Sequence, residues 1–223
     1  MKSTFTLIFC LITAFGYSQT KEIQIEFIGN CGLYMTDGNT NIYTDFPYKS
    51  AAHGYMEFDH SELDSIEPNS IFIFTHKHSD HYSKKNLKKV LQNKSGQTFG
   101  PWNISKLQTL SDSINDFRIE AFKTKHKFSL RHYSYLITWH NKRIFLSGDT
   151  EDASKLAVIK NIDWAFTPYW ILLDAKEREI EIDAKMFGLY HLATIQIPSA
   201  KENYDNVENI KRIVKQGEKF QIE

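Results

Sequence analysis

Cysteine is nearly absent from this chain of 223 residues; Cys10 and Cys31 are the only two. Neither charge sign is in excess, with 27 lysines and arginines against 27 aspartates and glutamates. A neutral chain carries no global electrostatic footprint for nucleic acid or an anionic membrane, although a local patch remains open. Internal repeats, low-complexity segments and linkers are also missing, so solenoid and tethered-module architectures are excluded. The apolar stretch from Phe5 to Phe15 covers about eleven residues, against the roughly 20 that a membrane-spanning helix needs.

That stretch follows Lys2 and precedes Gly16 and Ser18. A basic start, a short apolar centre and small residues at −3 and −1 form the layout of a secretory signal peptide over residues 1–18, cut near Gln19. The other reading is an apolar first element of the fold. Cys10 lacks the small preceding residues of a lipoprotein site, so no membrane anchor is expected in the mature chain. Removal of residues 1–18 leaves Cys31 alone, which excludes an intramolecular disulfide and suits a small buried side chain. Residues 19–223 then read as a single exported domain, periplasmic or secreted.

The remainder shows strand hairpins first, then strands alternating with helices. "KEIQIEFIG" has the period of two of a half-buried strand. Asp37-Gly38-Asn39 and His140-Asn141-Lys142 read as hairpin turns. Residues 47–68 lack periodicity. "SIFIF" is a short buried strand, and Ser83 caps a helix with Leu87, Val90 and Leu91 on one stripe. Further strands are read in "FRIEAFKTKH", "DWAFTP" and "TIQIP". A helix is expected over 153–160, and another inside "NYDNVENIKRIVKQGEKFQIE" before Gly217. The pattern predicts an α/β (α+β) fold of mixed sheets with helices packed outside them.

Histidine is concentrated where other reactive side chains are sparse. Three of the nine histidines fall within "THKHSDH", together with an aspartate. His76 and His78 stand two apart at a strand end, so extended backbone aims both to one side. Asp80 and His81 follow where the chain turns, directed at a second, adjacent position. Such nitrogen and oxygen donors suit zinc, with manganese or iron as alternatives.

His76-x-His78-x-Asp80-His81 after an apolar strand resembles the signature of the metallo-β-lactamase-fold hydrolases. "IEFIGNCGLYMTDGNTNIYTDFP", Gly100-Pro101 and "SGDT" resemble the branch containing the L-ascorbate-6-phosphate lactonase-like proteins. The resemblance covers most of residues 19–223. It implies a four-layer αβ/βα sandwich with two zinc ions at one sheet edge and a metal-activated water. It also implies His126, with His132 as rival, as the third ligand beside His76 and His78. Asp149 of "SGDT" is implied as the carboxylate shared by both ions, and Asp80 as a catalytic group beside its ligand role. Asp45 reads equally as a turn former and as a group orienting a ligand histidine.

The pattern breaks near the end. The branch usually carries a histidine shortly after an Ile-Pro pair, whereas "TIQIPSAKENYD" places Ala200 there. The second ion is therefore expected to be one ligand short, unless His191 substitutes; a packed or surface His191 is the favoured reading. Tyr169 and Trp170 read equally as pocket lining and as core. The implied activity is hydrolysis of a small ester, lactone or phosphoester. The alternative is a degenerate or single-metal protein without activity. A small-molecule substrate is expected, and no nucleic acid.

Overall fold

The computed structural model describes residues 22–222; the expected signal peptide lies outside them. Two six-stranded mixed sheets stand face to face. The first takes β1 (Ile23–Gly29), β2 (Gly32–Thr36), β3 (Asn41–Thr44), β4 (Ile71–Ile73), β5 (Gln97–Phe99) and β12 (Glu218–Ile222) in the order β12-β1-β2-β3-β4-β5. The second takes β6 (Phe117–His126), β7 (Ser129–Trp139), β8 (Lys142–Leu146), β9 (Ile162–Pro168), β10 (Ala184–Tyr190) and β11 (Ile210–Arg212) in the order β11-β10-β9-β8-β7-β6. Hairpins pair antiparallel; β3-β4-β5 and β8-β9-β10-β11 pair parallel. The helices are α1 (Glu62–Ser65), α2 (Lys84–Lys94), α3 (Gln108–Ser113), α4 (Ser154–Ala157), α5 (Tyr169–Glu177) and α6 (Ile197–Tyr204).

Strand alternation builds the four layers. Ile71 and Ile73 join Ile25, Leu33, Tyr135, Ile137 and Ile144 between the sheets. Phe72 and Phe74 point the other way, onto Leu63 of α1 and Leu87 and Val90 of α2. Leu136, Phe145 and Leu189 face outward from the second sheet onto Leu156 of α4, Ile171 of α5 and Tyr204 of α6. Each such side chain contributes about 1.5–3 kcal/mol on burial, so a one-residue register slip would exchange both faces at once.

The two expected hairpin turns form and meet. Asp37 Oδ1 accepts from the backbone N–H of Asn39 and Thr40 at 3.0 and 2.8 Å, and His140 Nε2 lies 2.8 Å from Asp37 Oδ2. Ser83 caps α2, its hydroxyl accepting from the Asn86 N–H at 3.3 Å. The opposite end of the sheets is tied by the Tyr135 hydroxyl donating to the Phe74 carbonyl at 2.8 Å and by Tyr133 N–H donating to the Thr75 carbonyl at 3.0 Å.

The C-terminal third departs from the sequence reading. "TIQIP" enters α6, and the helix expected after it is replaced by β11, which adds parallel to β10. A parallel partner satisfies the backbone of residues 210–212, and that outweighs a helical spacing of Val207, Ile210 and Val214. The stretch at 169–177 is α5, entered through Pro168, and 184–190 is a strand the sequence reading passed over. The expected helix over 153–160 shrinks to α4.

Candidate metal centre

Strand ends from both sheets converge at the tied edge. The loop after β4 brings His76, His78, Asp80 and His81. The end of β6 brings His126, the end of β8 Asp149, and the end of β10 His191. Donor atoms of His76, His78 and His126 fall within 4.8 Å of one another, as do those of Asp80, His81, Asp149 and His191. Asp149 joins the two groups. Its Oδ2 lies 2.9 Å from His81 Nε2, 3.0 Å from His191 Nε2, and 3.8 Å from both His76 Nε2 and His126 Nε2.

The structure thus brings all six sequence-predicted residues together, and His191 stands with them. His191 fills the place for which Ala200 was expected to leave the second group incomplete. Ala200 is wholly buried in α6 and is no part of either group. The missed signal is one of layout. "MFGLYH" is an apolar strand ending in a chemical residue, as are "SIFIFTH" and "RIFLSGD"; without β10, His191 was not visible as a strand end. Its backbone is left-handed at φ 54°. Its N–H donates to the Asn30 carbonyl at 2.7 Å, and its ring lies 4.1 Å from that of Tyr55 and 5.5 Å from that of Trp170.

Hydrogen bonds behind the donors set which nitrogen faces inward. His81 Nδ1 lies 3.0 Å from Asp45 Oδ2, which leaves Nε2 for the second group. Asp45 is itself held by Thr75, whose N–H and hydroxyl donate to its two oxygens at 2.7 and 2.8 Å. The same hydroxyl oxygen stands 3.1 Å from His76 Nδ1, so His76 also presents Nε2. Both readings of Asp45 hold: its backbone is left-handed at φ 47° where the chain leaves β3, and its carboxylate stands behind the His81 ring. Partners of this kind fix ring orientation and tautomer in metal sites.

His132, the rival for third ligand, is committed elsewhere. Its Nε2 accepts from the Asp149 N–H at 2.9 Å, so its proton sits on Nδ1, 2.7 Å from Thr124 Oγ1. Thr124 continues to Ser134 at 3.2 Å, whose hydroxyl donates to the Ser147 carbonyl at 2.6 Å. Burial pushes the His132 imidazole down to about 3, which keeps it neutral. Trp170 braces the same loop, its Nε1 donating to the Thr150 carbonyl at 2.9 Å, while Tyr169 meets Ser199 Oγ at 3.0 Å.

The donor set fits divalent cations. Buried His76 Nε2 and Asp149 Oδ1 have no hydrogen-bond partner, a costly state unless another ligand takes those lone pairs. Burial holds the imidazoles of His76 and His126 below the ordinary range, so both offer lone pairs at neutral pH. Burial opposes ionisation of Asp149, but the adjacent His191 and His81 outweigh it and hold the carboxyl well below the usual range. Three imidazoles on one side, and two imidazoles with a carboxylate on the other, share an ionised carboxylate. Cys31 Sγ lies 3.2 Å from His81 Nδ1. Burial pushes its thiol up, and it forms no disulfide among the described residues.

Two back-to-back mixed sheets, outer helices and a His/Asp cluster at one sheet edge define the metallo-β-lactamase fold. No family model matches the chain, and no curated protein does. Solved structures resemble it over nearly its whole length. Igni18, a metallo hydrolase from the hyperthermophilic archaeon Ignicoccus hospitalis, has a TM-score of 0.66 at 14% identity, covering 91% of this chain and 99% of its own. The metallo-β-lactamase fold protein YhfI of Bacillus subtilis has a TM-score of 0.65 at 17% identity, covering 90% and 99%. CmlA of Streptomyces venezuelae, a diiron β-hydroxylase, has a TM-score of 0.59 at 10% identity, covering 90% of this chain and 54% of its own. The likeness is one of fold, and a shared fold does not by itself fix the reaction.

Proposed function

We propose that this chain is a metal-dependent hydrolase acting on a small ester, lactone or phosphoester, of the kind found in the lactonase-like branch. The observation that carries the reading is Asp149, whose Oδ2 reaches toward donors of both groups. A shared carboxylate belongs to a two-ion site. His76, His78 and His126 would hold one ion, and Asp80, His81 and His191 the other, with Asp149 common to both. Zinc suits these donors, with manganese or iron as alternatives. Bound there, such cations polarise the bond under attack and make water acidic enough to act near neutral pH.

The chain's own groups supply position and proton handling. Asp45 and Thr75 hold His81 and His76 with their inner nitrogens free. Asp80 Oδ1 is buried, 4.0 Å from His53 Nε2 at the exposed rim. It is the atom positioned to orient an attacking water or to pass a proton to a leaving group. His191 in the second group weighs against the alternative of a degenerate or single-metal protein.

Metal analysis with a substrate panel tests the reading. About two ions per chain, as in two-metal hydrolases, and hydrolysis abolished in His78→Ala are expected. A chain that retains no metal and hydrolyses nothing after metal is added back would falsify it. We also infer an exported protein, cut near Gln19, with a small-molecule substrate. No helix of the described residues is long and apolar enough to cross a membrane. N-terminal sequencing of the secreted or periplasmic fraction tests the cut.

A further inference from the structure

Two clefts open side by side at the metal centre. One, of about 430 Å³, is lined by Tyr55, His78, Asp80, His126, Phe128 and Asp149. The other, of about 380 Å³, lies beyond His78 and is lined by Lys77, Trp102, Phe128, Leu130 and Arg131 among others. His78 and Phe128 border both, so a molecule reacting in the first cleft extends naturally into the second. The second cleft has an apolar wall and two cations, and no acidic side chain lines it.

Its wall is unusual for a monomer surface. Phe128 is 99% exposed and Leu130 is 95% exposed, at the tip of the β6–β7 hairpin. Phe128 is also left-handed at φ 60°, a backbone region bulky residues rarely occupy. Its carbonyl lies 3.4 Å from His78 Nε2, which ties the tip to the metal centre. The Lys77 ammonium stands 5.0 Å above the Trp102 ring. Neither Lys77 nor Arg131 pairs with a carboxylate among the described residues. In a chain of zero net charge, two unpaired cations beside exposed apolar side chains form a local site of one character.

We propose that this second cleft binds the non-reacting arm of the substrate, and that the substrate is a small anionic amphiphile. An acyl or aromatic arm lies against Trp102 and under Phe128 and Leu130. A carboxylate, phosphate or sulfonate at its end meets Lys77 and Arg131. This rests on the hydrolase reading for the reacting end of the molecule, while the cleft's binding can be tested without turnover.

The binding test uses 8-anilinonaphthalene-1-sulfonate, an anionic aromatic fluorophore, with the full purified chain. Arg131→Ala and Leu130→Ser each remove one half of the recognition from an exposed position. Each is expected to raise the probe's Kd about tenfold, the loss of one charge-assisted contact or one buried apolar side chain. An unchanged Kd in both variants overturns the proposal. The turnover test compares 4-nitrophenyl hexanoate with the mono-4-nitrophenyl ester of adipic acid. The wild-type chain should favour the anionic ester in kcat/KM, and Arg131→Ala should reduce that preference about tenfold. A wild-type chain with no such preference overturns it. If nothing is hydrolysed while the probe's Kd still rises in both variants, the hydrolase reading fails and the cleft stands. Sedimentation with phosphatidylglycerol vesicles, lost in Leu130→Ser while the probe's Kd is constant, assigns the tip to a lipid surface and overturns the cleft.

Discussion

His191 Nε2 lies 3.0 Å from Asp149 Oδ2, joining the end of β10 to the end of β8 across β9. Through that contact the second donor group is complete without any residue near Ala200. His191→Ala is expected to lower bound metal from about two ions toward one, since it leaves the second group only Asp80, His81 and a carboxylate shared with the first. Inductively coupled plasma mass spectrometry of the purified chain reads this directly. Ala200→His should leave the count unchanged and destabilise the fold by about 1–3 kcal/mol, because the site in α6 is fully buried and cannot take the added volume.

Asp45 acts on metal through His81. Asp45→Ala removes the acceptor 3.0 Å from His81 Nδ1 and both partners of Thr75. Loss of such a partner weakens metal binding by roughly 10–100-fold. Competition with a chromogenic chelator should show that drop for one ion and a smaller change for the other. Equal weakening of both ions would place the effect in the fold instead.

Gly148 is required by a positive φ of 56° and by a close approach. A Cβ there would stand 2.6 Å from His132 Nε2 and 2.9 Å from Thr75 Cβ. The left-handed backbone alone costs a side chain about 1–2 kcal/mol, and the two contacts add to it. Gly148→Ala is expected to lower the urea midpoint by an amount equal to about 2 kcal/mol or more. It should also reduce metal content, because His132 holds the Asp149 N–H. A variant that keeps both stability and metal would contradict the packing described.

Asp152 anchors the loop that carries Asp149. Its Oδ1 accepts from Ser154 N–H at 2.9 Å and from Arg178 Nη1 at 2.9 Å. The Ser154 bonds first, then Arg178, pull its carboxyl down to about 2 from the ordinary 3.8. A depressed carboxyl stabilises the fold above its unfolded value, and the contribution is lost as pH falls from about 4 through about 2. The side chain is 37% exposed, so solvent screening reduces the effect to about 1 kcal/mol. Asp152→Asn should cost that much at pH 7, and the difference from wild type should close between pH 4 and 2 in urea titrations. A difference independent of pH would mean the carboxylate charge plays no part.

The legible parts of this protein are those where chemistry is local. "THKHSDH" is contiguous, so period two along an extended strand end places His76 and His78 together and sends Asp80 and His81 to the next position. The hairpin turns at Asp37 and His140 and the capped helix after Ser83 are likewise local, and so are the alternating strands that imply sheets with outer helices. The family resemblance extended this to His126 and Asp149, whose own surroundings are ordinary.

Tertiary structure decided the rest, because the deciding partners are distant in the chain. His191 meets His81, 110 residues earlier in the chain, only because β10 lies next but one to β8. Asp45 reaches His81 from the bend that ends β3 because β3 and β4 run parallel, which sets their ends side by side. His132 is buried behind Asp149, instead of beside His78, because its Nε2 is the acceptor that the Asp149 N–H requires. Local pattern shows which residues can bind metal; sheet order shows which of them meet.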